Sequence, residues 1–119
     1  DKSHLVRAVM EGAAFALRDA QEIMNAKSVR VTGGGMKNPV WRRIIADVLG
    51  LPVITVNTSE EGAAYGSAIL AAVGAGGFKS VEQAADRVVR ETSVTKPRRS
   101  YDEAYARYRK LYPAAKGLA

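Results

Sequence analysis

Val29-Arg30-Val31-Thr32-Gly33-Gly34-Gly35-Met36-Lys37-Asn38-Pro39 decides how this chain is read. Val29 and Val31 are β-branched and favour a strand, and Gly33, Gly34 and Gly35 make a turn of backbone alone. Asn38-Pro39 then places an N-cap before proline at the first helical position. A helix start behind glycines offers main-chain N–H groups to an anion, which suits a phosphate. The same residues also fit a plain tight turn between strand and helix. Two familiar nucleotide fingerprints do not match. A P-loop needs Lys followed by Ser or Thr, whereas Lys37 precedes Asn38 and Pro39. The G-x-G-x-x-G pattern fits Gly33 and Gly35 but meets Asn38 in place of its third glycine, and the following strand ends in Asn57 where an acidic ribose ligand is needed.

Working outward, Trp41, Ile44, Ile45, Val48 and Leu49 recur at helical spacing until Gly50, and Pro52 to Val56 reads as the next strand. A strand, a helix and a strand in succession predict a parallel pair. Before the turn, a long helix is expected from Ser3 to Asn25. Leu5, Val9, Gly12, Ala13, Ala16, Leu17, Ala20 and Ile23 form its apolar stripe, and Arg7, Glu11, Arg18, Asp19 and Glu22 take much of the remaining surface. Gly12 weakens that helix unless another element packs closely there. After the second strand, residues 59–76 predict a helix rich in small residues, Gly62, Ala63, Ala64, Gly66, Ser67, Ala68, Ala71 and Ala72. Such a helix suits either tight core packing or close approach of a ligand. Ser80 and Ser100 each open a capping-box pattern, and residues 88–97 read as an extended or looping connection. Tyr101, Tyr105, Tyr108 and Tyr112 share one face of the last helix, read as a packing seam in preference to a base-stacking ladder.

At 119 residues with 47% hydrophobic side chains, the chain has the size and apolar content for one globular domain with a real core. No linker, repeat or low-complexity tract interrupts it, so residues 1–119 are read as a single compact unit with more helices than strands. No apolar run is long enough for a membrane span and the first residues lack a signal-peptide pattern, so a cytoplasmic protein is expected. The absence of cysteine excludes thiolate metal sites and a cysteine nucleophile, and His4 is the only histidine. No metal site is therefore expected. A formal charge of +6 suits an anionic partner, yet the excess is spread over the C-terminal third without any zinc-finger, RNP or GXXG pattern.

Three ordered segments together resemble the C-terminal part of the FGGY family of carbohydrate kinases, in particular its xylulokinase branch. His4 to Gly12 resembles the end of the family's second signature. Thr32 to Val53 resembles its glycine turn and the helix that follows, and Glu60 to Ala68 its small-residue helix beside the nucleotide. The resemblance implies an α/β fold, part of the C-terminal lobe of an actin-like, ribonuclease H-like ATPase, helix-rich with a short parallel strand pair. It implies ATP as the cofactor, with Gly34 and Gly35 presenting N–H groups to its phosphates, Gly33 giving the close turn and Asn38 near the adenine. For Asn38 the plain N-cap role stays open beside that one.

The resemblance also implies what lies elsewhere. The family's catalytic base is a first-lobe aspartate, and the Mg²⁺ and phosphate loops are there too. Asp19 and Asp47 are read as helix-surface charges, so no catalytic residue is assigned. This chain alone is expected to be inactive, since phosphoryl transfer needs several parts positioned at once. D-xylulose is the first sugar implied, with ribulose, gluconate and glycerol-type kinases as alternatives, and the parent can be a homodimer. A basic nucleic-acid-binding module using Arg98 and Arg99, and a docking domain built on the small-residue helices, are the rivals from other classes.

Overall fold

The computed structural model describes residues 1–58 and 61–117. Its contacts divide the chain into two compact units, one of residues 1–29, 39–53 and 95–119 and one of residues 30–38 and 54–94. The sequence gives no sign of this division because the chain passes between the units within strands and at a helix start, without any linker-like stretch. No helix among the described residues is long and apolar enough to cross a membrane.

The first unit is helical: α1 (Lys2–Met24), α2 (Pro39–Leu49) and α5 (Asp102–Lys116). Asp1 caps α1 by accepting from the Ser3 backbone N–H at 3.2 Å, and the helix ends at Asn25 in the left-handed conformation, φ 49°. Ala14, Phe15, Ile44, Val48 and Tyr105 are its buried core, with Met10, Trp41, Tyr101, Ala104 and Tyr108 packed around them. Phe15 is the centre of an aromatic cluster, with ring centroids 5.2 Å from Tyr108, 5.9 Å from Tyr105 and 6.1 Å from Tyr101, separations at which offset and edge contacts are favourable. The tyrosine seam is therefore structural over three of its four members, and Tyr112, 74% exposed, lies off it.

Charge enters this core in satisfied form. Arg18 donates to the Val48 carbonyl at 3.1 Å and to Asp102 at 2.7 Å, and its guanidinium stands 4.3 Å over the Tyr105 ring. Tyr105 donates to Asp19 at 2.5 Å, and Tyr101 donates to Glu11 at 2.6 Å while accepting from Arg7. The charged face of α1, expected at the surface, thus faces α5. Asp47 is a second correction. It is 3% exposed and accepts from the backbone N–H groups of Arg98 and Arg99, so it holds the approach to α5 from within. The α5 start also departs from a capping box: Tyr101 occupies the N-cap position without a side-chain capping bond, and the Ser100 hydroxyl accepts from the Asp102 N–H and donates to its carboxylate instead.

The second unit carries most of the sheet, in the order β1 (Val29–Val31), β2 (Val53–Val56), β3 (Glu91–Thr95). The strands β1 and β2 are neighbours linked through α2, the crossover connection a parallel pair requires. Between β2 and β3 the Asn57 N–H donates to the Arg90 carbonyl while Thr55 meets Thr92 and Ser93 through hydroxyls at 3.0 and 2.6 Å. Numbers rise on one strand as they fall on the other, so this pair is antiparallel and the sheet is mixed. β3 lies within the stretch read as an extended or looping connection; Glu91-Thr92-Ser93-Val94-Thr95 has little apolar content and meets β2 through those hydroxyls.

α3 (Gly62–Gly74) and α4 (Val81–Val88) complete this unit. The expected start of α3 at Ser59 lies outside the described residues. α3 ends in a Schellman motif: Gly76, at φ 80°, donates to the Val73 carbonyl and Gly77 to that of Ala72. Ser80 caps α4 as its spacing predicts, accepting from the Gln83 N–H, while the Gln83 side chain accepts from that of Lys79. The backbone of that first turn and the Ser80 hydroxyl hold the Glu82 carboxyl below its ordinary range.

Candidate functional site

The glycine turn belongs to the second unit and its geometry is specific. Gly33 has φ 99° and ψ 157°, a backbone conformation open almost only to glycine, and it directs the chain from β1 into a 3₁₀ turn over Gly34–Lys37. The Met36 N–H returns to the Gly33 carbonyl at 3.0 Å and the Asn38 N–H to that of Gly35 at 3.2 Å. Gly34 and Gly35 head the turn, and among the described residues their N–H groups meet no acceptor. A Cβ on Gly34 would meet nothing within 4 Å, so open space adjoins the turn.

α3 begins beside it. A Cβ on Gly62 would lie 3.0 Å from Thr32 Cβ and 3.1 Å from Thr32 Oγ1, tighter than most real side-chain contacts, so Thr32 would have to give way. Gly62 is thus the residue that lets the first turn of α3 approach the chain just before the glycines. That end of the helix has Glu61 in the N-cap position and no side-chain cap. The start of α3 and the residue that precedes the glycine turn are thus neighbours. Dipole and free N–H groups favour an anion there.

Asn38 occupies the position before Pro39 with φ −76° and ψ 113°, the extended backbone of an N-cap. Asn57 is fully used by the fold: its side chain donates to the Val88 carbonyl at 3.0 Å and accepts from the Arg90 N–H at 2.8 Å. It clips the entry to β3. Among the described residues no group of three or more His, Cys, Asp or Glu could hold a metal ion. Sequence reasoning named Gly33, Gly34, Gly35 and Asn38 as candidates and did not anticipate the approach of Gly62 to Thr32, which local spacing cannot reveal across 30 residues. The small-residue run was its one visible trace.

Residues 1–75 match the model of the C-terminal domain of the FGGY family of carbohydrate kinases. The chain is 35% identical over 127 residues to the xylulose kinase of Bacillus subtilis (strain 168), covering 99% of this chain and 25% of that protein. It is 34% identical to an autoinducer-2 kinase of Escherichia coli, over 99% of this chain and 24% of that one. A solved structure described as a xyloylose kinase from Brucella ovis superposes with a TM-score of 0.86 at 33% identity, over 100% of this chain and 26% of its own. The chain spans about a quarter of the length of these relatives, all kinases, and its α/β architecture is part of their actin-like ATPase fold. On its sequence, its fold and these likenesses, the chain belongs to the FGGY family of carbohydrate kinases.

Proposed function

We propose that this chain is the nucleotide-holding C-terminal portion of the second lobe of an ATP-dependent sugar kinase. The observation that carries the reading is the close approach of Gly62, at the start of α3 without a side-chain cap, to Thr32, which leads into the Gly33-Gly34-Gly35 turn. Gly34 and Gly35 would donate to the phosphates of ATP or ADP, with Gly33 fixing the turn that aims them. Asn38, next to that turn, is the proposed contact to the adenine, a role compatible with capping α2.

ATP supplies the transferable phosphoryl group when bound. This portion contributes position and electrostatic complementarity, the two effects on which phosphoryl transfer chiefly depends. Mg²⁺ would enter with the nucleotide and take its protein ligands from polypeptide outside this chain. D-xylulose is the proposed sugar, on the names of the similar kinases. The catalytic base, the sugar pocket and the metal loops are assigned to the complementary polypeptide, so this chain by itself turns over no substrate. The proposed compartment is the cytoplasm, where ATP and pentose phosphorylation meet and a cysteine-free chain needs no oxidising environment.

Calorimetric titration with ADP and with a short DNA duplex at two salt concentrations tests the reading. ADP should bind saturably with weak salt dependence, and the duplex should not bind at the lower salt. Duplex binding that falls steeply with salt, without ADP binding, would replace this reading with a nucleic-acid module.

A further inference from the structure

Helix α1 is amphipathic in the inverted sense. Its charged residues Arg7, Glu11 and Arg18 are engaged within the first unit, by Tyr101 and by Asp102. Its apolar stripe points away from that unit's core: Val9 is 68% and Ile23 87% exposed. At 3.6 residues per turn, Leu5, Val9, Gly12, Ala16, Ala20 and Ile23 fall within an arc of about 80°, and of the charged residues of α1 only Lys2, at the first turn, shares its edge. A Cβ on Gly12 would meet nothing within 4 Å, so nothing yet uses the close approach that Gly12, Ala16 and Ala20 allow at four-residue intervals. An uninterrupted apolar stripe along a 23-residue helix is a surface that soluble proteins keep covered.

The relatives indicate what covers it. Alignment takes in 99% of this chain but only 25% of the Bacillus subtilis protein, so three quarters of a relative's length is further polypeptide. We propose that the outward face of α1 is the seat of that complementary polypeptide, with Gly12, Ala16 and Ala20 admitting a closely packed element and Leu5, Val9 and Ile23 gripping it. A second copy of this chain is not the occupant. The inference rests on the reading of the chain as one portion of a larger kinase.

The test uses this chain, its Val9→Glu/Ala16→Glu variant and, as probe, Bacillus subtilis xylulose kinase lacking the quarter that matches this chain. Both substituted positions sit on the exposed arc, and circular dichroism checks that helix content is kept; Arg107→Glu, on α5, is the control. The expected result is a one-to-one complex of probe with the unaltered chain and with the control, weakened at least tenfold by the double substitution. An equally tight complex with the double variant overturns the proposal. So does no complex, whether the chain remains monomeric or pairs with itself through α1. ADP binding is measured on the same samples: a complex that ignores ADP removes the nucleotide reading and leaves the surface standing, whereas ADP binding without a complex does the reverse.

Discussion

The backbone N–H of Arg98 donates to the carboxylate of Asp47 at 2.7 Å, and Asp47 is buried in α2 when it does so. A single side chain thereby ties the segment leading into α5 to a helix 51 residues earlier in sequence. Replacing Asp47 by Ala would strand that N–H, at a cost of about 1–3 kcal/mol. Urea unfolding should show a lowered midpoint with unchanged slope, and Asp47→Asn, which keeps an acceptor, should recover much of the loss.

Gly33 and Gly34 should respond differently to substitution. At φ 99° and ψ 157°, Gly33→Ala incurs backbone strain of about 1–3 kcal/mol, visible in thermal unfolding. Gly34 has neither positive φ nor a near neighbour, so Gly34→Val should leave stability within about 1 kcal/mol, the helix-propensity scale of such a change. Its side chain would nonetheless fill the space proposed for a phosphate, and ADP binding should be lost. A stable Gly34→Val that binds ADP normally would remove Gly34 from the site.

Gly62→Val tests the approach of α3 to Thr32. The added Cβ at 3.0 Å from Thr32 Cβ cannot be accommodated by a flexible chain end, because the neighbour is itself a branched carbon close to the backbone. Overpacking of this kind costs about 1–3 kcal/mol. Thr32→Ala, which removes Oγ1 at 3.1 Å and Cγ2 at 3.4 Å, should relieve part of the loss in the double variant, and additive effects of the two changes would contradict a direct contact.

Alkaline stability follows from two tyrosines. Burial, then the hydrogen bond to Asp19, raises the Tyr105 hydroxyl well above its ordinary 10.0, and burial with the Glu11 bond raises Tyr101. A group whose folded pKa is raised contributes fully below its unfolded pKa, and that contribution is lost as pH climbs toward the folded value. Stability should therefore fall as pH rises above about 10, the unfolded tyrosine value. Tyr105→Phe, less stable at pH 8 by about 0.5–1.5 kcal/mol for the lost hydrogen bond, should show a shallower fall. Unfolding midpoints between pH 8 and 11 check both slopes.

Local chemistry was legible in the sequence where neighbours in the chain create it. Val29 and Val31 signalled β1, Asn38-Pro39 the start of α2, and Ser80 the cap of α4, because each acts within a few residues. The apolar stripe of α1 was equally visible, but periodicity identifies a face without saying what meets it, and that face turned outward. Asp47 looked like a surface charge because its partners lie on the far side of two strands in sequence. β3 was read only as an extended or looping connection because its polar residues are matched by Thr55 on the neighbouring strand and not by an apolar pattern of their own. In the candidate site, the glycine turn was readable and its pairing with α3 through Thr32 and Gly62 was a property of the folded chain.

The most direct measurement on the nucleotide claim is a titration of the isotopically labelled chain with ADP, followed by the movement of its backbone amide resonances. The Gly34, Gly35, Ala63 and Ala64 amides should shift together along one saturation curve while Gly76 and Gly77, at the other end of α3, stay fixed. Saturable shifts confined to other residues, or none at the glycine turn at millimolar ADP, would contradict it.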